Sequence, residues 1–190
     1  GIAIRPGSDS NSVVNCQVSG NGNPATPDFT GGGSGIIIGS SNVAPAPLSN
    51  SVLGSTVNNN VRHGILLTTT DGNTVKNSTA NGNGQSGITL SFGADGNTVQ
   101  DNVANGNALR GISVSGSVPQ PDSNTFTGNQ LAGNLVRDIE DFTAGGGTLG
   151  TRNTYIANPC TTSLPGGLCV PPVVGGKNLK IATGSIDLTW

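Results

Sequence analysis

The frame Asn-Thr-Val-x-x-x-x-Ala-x-x-Asn recurs along the chain, most cleanly from Asn73-Thr74-Val75 to Asn83 and from Asn97-Thr98-Val99 to Asn107. Asn11, Asn50, Asn73, Asn97 and Asn124 are each followed ten positions later by another asparagine, at Asn21, Asn60, Asn83, Asn107 and Asn134. A fixed internal period belongs to stacked-repeat architectures, where each repeat buries its apolar residues against the next. Composition leaves little alternative: 9% of residues are charged, 3% are aromatic, and 31 of 190 are glycine, so large side chains cannot fill an ordinary core. The constant register of Val and Ile with Asn also argues against the disorder that Gly/Ser/Asn-rich sequence often signals.

A second motif, Gly-Ile-x-aliphatic, opens each repeat at Gly1, Gly35, Gly64, Gly87 and Gly111. Its period of two places the first and third residues after the glycine on one face of a strand. Val13, Val52, Val75, Val99, Phe126 and Tyr155, each two positions after a reference Asn, form a second inward set. Val18, Val57, Ala80, Ala104 and Leu131 form a third. The expected fold is all-β: a single-stranded parallel β-helix of about six turns with three short strands per turn. Asn81-Gly82, Asp71-Gly72 and Asp95-Gly96 are hairpin signals in isolation. Matching columns 23 and 24 residues apart, from Gly64 to Gly87 to Gly111, require parallel stacking instead. Asn tolerates left-handed backbone and its amide both donates and accepts, so stacked asparagines at the bends are expected to form internal ladders.

Insertions lengthen two turns, Asn23 to Ser34 and Ser40 to Ser49, and carry Pro24, Pro27, Pro45 and Pro47; a smaller one surrounds Pro119 and Pro121. They are the expected walls of a binding edge. Residues 1–169 read as the β-helix with its closing turn, 170–177 as a linker, and 178–190 as a strand pair, either the start of a β-sandwich or a cap. Gly1-Ile2-Ala3-Ile4 has the look of a repeat interior, so an upstream segment is expected.

The frame Gly-Ile-x-Leu followed by Asp-Gly-Asn-Thr-Val resembles the right-handed parallel β-helix repeats of secreted carbohydrate-interacting proteins. That group holds pectate lyases, polygalacturonases, alginate epimerases and periplasmic copper-enzyme accessory proteins. The resemblance implies a right-handed coil over about residues 1–169 and contact with polysaccharide. Its catalytic signatures do not carry over: the Gly-His-Gly segment of polygalacturonases is here Arg62-His63-Gly64, without an Asp-Asp pair. The Tyr-Gly-x-Asp-Pro-His segment of alginate epimerases has no counterpart.

Two columns offer chemistry. His63, Arg110 and Arg137 each fall thirteen positions after a reference Asn and project outward, suited to binding acidic groups along an extended polysaccharide. The same column would also serve as a solvated edge that discourages aggregation. His63 is the one candidate acid or base, with no carboxylate partner evident in sequence. Asp9, Asp71, Asp95 and Asp122 lie two positions before a reference Asn; Asp71, Asp95 and Asp122 would suit calcium if their carboxylates converged, and otherwise form turns by bonding backbone two residues on. No other cofactor is called for.

The net charge of −2 and the lack of a basic run speak against nucleic acid, and no apolar stretch reaches the roughly 20 residues of a membrane span. Cys160 and Cys169, flanking Pro165-Gly166-Gly167, are expected to form a disulfide, and with it an extracytoplasmic location, secreted or at the cell surface. Cys16 shares the column of Ser55, Ser78 and Asn102 and is expected to be a buried, inert thiol. Three functional readings remain: a non-catalytic polysaccharide-contacting segment, a lyase or hydrolase of acidic polysaccharide, and a structural stalk or adhesin.

Overall fold

The computed structural model describes residues 1–23, 32–39 and 46–172. Pro24, Pro27 and Pro45, the strand pair at 178–190 and most of the linker lie outside the described residues. Strands numbered in chain order alternate between two parallel sheets. The first sheet holds β1 (Ile2–Ile4), β3 (Ile36–Gly39), β5 (Ile65–Thr68), β7 (Ile88–Ser91), β9 (Arg110–Val114), β11 (Arg137–Asp141) and β13 (Ser163–Leu164), stacked in that order. The second holds β2 (Ser12–Val14), β4 (Ser51–Leu53), β6 (Thr74–Lys76), β8 (Thr98–Gln100), β10 (Thr125–Thr127) and β12 (Thr154–Ile156). The six strands of the second sheet delimit about five full turns of a right-handed parallel β-helix, one fewer than the sequence count. The third face is narrowed to one paired residue per coil, running Gln17, Thr56, Thr79, Val103, Gln130.

The repeat register is the strand register. Ile36, Ile65, Ile88 and Ile112 pair in column, as do Val52, Val75, Val99 and Phe126. These residues are fully buried, together with Val57, Ala80 and Ala104 of the third column. The core widens toward the C-terminal end, where Phe126 and Tyr155 stack with ring centroids 4.7 Å apart. The strands are short because the chain must turn after each one. After the second sheet the bend falls on Asn15, Gly54, Asn77, Asp101, Gly128 and Ala157, all with φ between 49° and 65°. Asn, Asp and Gly reach this left-handed region at low cost.

Close approach fixes the glycine that opens each coil. A Cβ on Gly64 would lie 2.6 Å from the Gly87 carbonyl oxygen, 2.8 Å from Asn83 Nδ2 and 3.0 Å from Ala80 Cβ. None of these neighbours can move without breaking the stack. Gly64→Ala is therefore expected to cost about 1–3 kcal/mol, the usual penalty of overpacking. Gly146→Ala, where nothing lies within 4 Å, should leave the urea midpoint in place.

The ladders are present on all three inner corners. On the first, Asn11, Asn50, Asn73, Asn97, Asn124 and Asn153 follow in order; each side-chain oxygen from Asn50 onward accepts from both the backbone N–H and the Nδ2–H of the asparagine one coil before. On the second, Asn21, Asn60, Asn83, Asn107 and Asn134 do the same. The third runs from Cys16 through Ser55, Ser78, Asn102 and Asn129 to Asn158. Cys16 is half-buried, lying in the first coil of the stack, with Sγ 3.4 Å from the Val14 carbonyl.

Carboxylates receive the ends of two ladders. Asn134 Nδ2 donates to Asp138 Oδ1, and Asn153 Nδ2 donates to Asp141 Oδ2. Both acids point inward and are buried. Asp138 also accepts from the Thr161 and Thr162 amides, and these bonds hold its pKa below the ordinary aspartate range despite the opposing pull of burial. Asp141 accepts from the Tyr155 hydroxyl, and desolvation with that neighbouring carboxylate raises the Tyr155 pKa.

Cys160 and Cys169 form the disulfide, with Cα atoms 5.0 Å apart. Val170, assigned to the linker by sequence, still bridges Pro159 in parallel. The loop ending in the 3-10 turn Thr148–Gly150 folds against β12, where Tyr155 N–H donates to Thr148 Oγ1. No helix among the described residues is long and apolar enough to cross a membrane.

Candidate functional site

Residues that alternate with the core positions of the first sheet point outward, and on successive coils they form one outer face. His63 precedes Gly64 at the start of the coil carrying β5; Ser86, Arg110 and Arg137 occupy the same position on the next three coils. At about 4.8 Å per coil, His63 and Arg110 are roughly 10 Å apart and the two arginines are direct neighbours, paired in register between β9 and β11. The predicted column thus exists in space, and the fold adds a member that the sequence reading missed.

That member is Glu140. It sits on the outer face of β11, opposite Ser113 of β9, with its side chain only 5% exposed. Arg110 Nε bonds Glu140 Oε2, and Arg137 Nε lies 3.3 Å from Glu140 Oε1. One carboxylate therefore faces two guanidinium groups: it holds Arg110 by a hydrogen bond from Nε, and Arg137 by ion pairing alone, since the buried Arg137 Nε makes no hydrogen bond. Among the described residues the terminal Nη atoms have no partner, and the side chains are 22% and 39% exposed. The cluster keeps a net charge of +1 on the partly exposed outer side of the sheet. Arg110 also lies over the Phe142 ring, 5.6 Å from the centroid. Beside Arg137 lies a cleft of about 570 Å³ lined by Thr161, Thr162, Ser163 and the disulfide.

His63 is held differently. Its Nδ1 lies 2.9 Å from Thr89 Oγ1 on β7. Its pKa is lowered from 6.5 to about 4, first by burial and then by the positive charges of Arg62 and Arg110. At neutral pH the ring is uncharged, so His63 does not extend the positive row of the two arginines.

The aspartate column forms an outer ladder. Asp9 Oδ1 accepts the Leu48 N–H, Asp71 Oδ1 the Asp95 N–H and Asp95 Oδ1 the Asp122 N–H. These bonds reach the next coil, whereas the sequence reading placed them within one turn. Asp122 ends the column with Arg152 Nη1 at 2.8 Å from Oδ2. The Ser123 hydroxyl and Arg152 lower the Asp122 pKa, while burial raises that of Asp95. Among the described residues no group of three or more His, Cys, Asp or Glu is placed to hold a metal ion.

A family model described as periplasmic copper-binding protein (NosD) matches residues 2–166, nearly the whole described solenoid. The chain belongs to the NosD family. A search of curated protein sequences finds no match. Among solved structures, this NosD-family chain is similar to the periplasmic alginate epimerase AlgG (TM-score 0.62, 16% identity, covering 83% of this chain and 36% of that one). It is also similar to the A-modules of the Azotobacter vinelandii mannuronan C-5 epimerases AlgE4 (TM-score 0.56, 19% identity, 85% and 45% covered) and AlgE6 (0.52, 20%, 84% and 49%). The chain thus spans less than half the length of each, and at these identities the likeness is one of fold.

The family description raises copper, and the donor set tests it. Cu(I) selects thiolate and thioether sulfur, and imidazole is the common nitrogen ligand for copper. The chain has no methionine, one histidine and three cysteines, two of which form the disulfide. The remaining pair, Cys16 and His63, lies on different coils, with Cys16 at the third inner corner and His63 on the outer face of the first sheet. These residues do not fit a resident copper site.

Proposed function

We propose that this chain is a polysaccharide-contacting β-helix that binds carboxylate-bearing sugars on the outer face of its first sheet, without cleaving them. The observation that carries this reading is the pair of in-register arginines, both ion-paired to the buried Glu140, with Arg110 hydrogen-bonded to it through Nε and the side chains partly exposed. A planar guanidinium held in this way matches a carboxylate with two parallel bonds and loses little side-chain entropy on binding. The polysaccharide-acting epimerases that share the fold, although remote in sequence, support the choice of ligand class. An extracytoplasmic location fits the family's periplasmic description and the disulfide.

The hydrolase alternative lacks its machinery on this face of the first sheet. It needs two carboxyl groups facing the same bond, whereas Glu140 is clamped between arginines and Asp138 and Asp141 point inward. The lyase alternative has one observation in its favour, the neutral His63 about two coils from Arg110, available as a base near a charge that would neutralise a uronate. Unsaturated product absorbing in the ultraviolet, lost in His63→Gln, would establish that alternative.

Calorimetric titration separates binding from a purely structural stalk. Galacturonate and mannuronate hexamers should bind, a neutral cellohexaose should not, and affinity should fall as salt rises. Replacing Arg110, Arg137 and Glu140 together by alanine removes the cluster without stranding a buried charge. The loss expected is at least about tenfold in Kd, since each charge-assisted bond contributes about 1.5–3 kcal/mol. Equal affinity for charged and neutral hexamers would sink the reading and leave the stalk.

A further inference from the structure

Phe142 is the one exposed aromatic ring among the described residues, with Phe126 and Tyr155 buried and Phe92 half-buried. An isolated exposed phenylalanine needs no explanation. This one is placed. It directly follows β11, two residues beyond Glu140 on the same outward face, and its N–H donates to the Val114 carbonyl. Gly116 on the preceding coil gives it room, since a Cβ there would lie 3.0 Å from both Phe142 Cβ and the Phe142 carbonyl oxygen. Arg110 rests against the ring while its Nε is held by Glu140, so guanidinium and ring share one fixed geometry.

We infer that Phe142 is a sugar-stacking platform that, with Arg110, forms a single subsite for a hexuronate ring, whose C–H face packs on the phenyl group while its carboxylate takes the free Nη donors of Arg110. The inference rests on the binding function proposed above and sharpens it to a substrate class. A pyranose ring has an apolar face of C–H groups and polar edges, and an exposed aromatic ring takes the first while leaving the second to hydrogen-bond. A neutral sugar would satisfy the ring and leave the guanidinium without a counter-charge. A simple dicarboxylate would satisfy the guanidinium and leave the ring wet. Only a ring bearing its own carboxylate uses both groups. The cation over Phe142 also keeps the ring from collapsing onto the sheet, so the platform is formed before ligand arrives.

The test uses the full chain and galacturonate hexamer, followed by calorimetry, with thermal melting as a control for folding. Phe142→Ala is expected to weaken binding by about tenfold, the size of one aromatic contact, with no loss of melting temperature because the ring is half-exposed. Phe142→Trp should bind as well as the native chain or better, a rescue that a merely structural role would not produce. If Phe142→Ala binds the hexamer like the native chain while removal of the Arg110 cluster abolishes binding, the platform is overturned and the binding function stands. If the native chain does not bind the hexamer, both fall together.

Discussion

Asn97→Ala is expected to lower the unfolding free energy by about 4 kcal/mol, a large share of the roughly 5–15 kcal/mol that stabilises a typical domain. Asn97 is 1% exposed. Its oxygen accepts the Asn73 N–H at 2.8 Å and the Asn73 Nδ2–H at 2.9 Å, and its own Nδ2–H donates to Asn124 Oδ1 and to the Thr70 carbonyl. Asn73 Nδ2 keeps Thr70 Oγ1 and the Asp71 carbonyl, and Asn124 Oδ1 keeps the Asn97 amide. The Asn73 N–H and the Thr70 carbonyl are left bare in the interior, each costing about 1–3 kcal/mol. Asn81 is the control, because its side-chain oxygen also accepts a backbone N–H from a neighbouring coil, that of Asn105, but at a half-buried position where water can replace it. Urea denaturation with the slope compared between variants checks both changes. A loss for Asn97→Ala no larger than for Asn81→Ala would mean that the inner ladder sets register without adding stability.

Lowering the pH from 6.5 to 4 is expected to remove roughly 2 kcal/mol of stability through His63 alone, and His63→Gln should abolish that slope. In the folded chain the imidazole takes a proton only near pH 4, whereas in the unfolded chain it does so near 6.5. Between those values the unfolded state binds more protons, so stability falls as the solution is acidified and levels off below about pH 4. The full shift corresponds to about 3 kcal/mol, and the residual solvent contact of the ring reduces it. Asp138 acts in a separate window. Its pKa is depressed in the fold, so its contribution is complete above the ordinary aspartate range and is lost as pH falls through the depressed value. His63→Gln should therefore flatten the upper limb and leave the lower one intact. Unfolding curves at pH 7.5, 5.5 and 4.5 would show this, and an unchanged slope in His63→Gln would assign it to other groups.

The candidate site was only partly legible before the fold was known. His63, Arg110 and Arg137 share a distance from the reference asparagines, so the sequence aligns them without coordinates. Glu140 escapes because its coil opens with Asp138 where the others have glycine, which hides the Gly-Ile-x-aliphatic frame. Aligning Ile139 with Ile112 and Ile88 would have placed Glu140 beside Ser113 and Thr89, the one remaining signal. Asp138 replaces glycine for a reason visible only in space, since it takes the last donor of the second asparagine ladder. The aspartate column was correctly aligned, but its bonds cross between coils. A linear reading sees the two-residue offset that makes a turn and misses a partner 24 or 27 residues away.

Periodicity alone determined the solenoid, the stacking of its columns and the asparagine corners, because a parallel coil repeats every contact at the interval of the sequence repeat. What is not repeated had to come from the tertiary structure. Glu140, Phe142 and the ladder-ending carboxylates Asp138 and Asp141 each occur in a single coil. Their charge, burial and partners depend on the coils stacked beside them, and a frame that averages over repeats carries no information about its own exceptions.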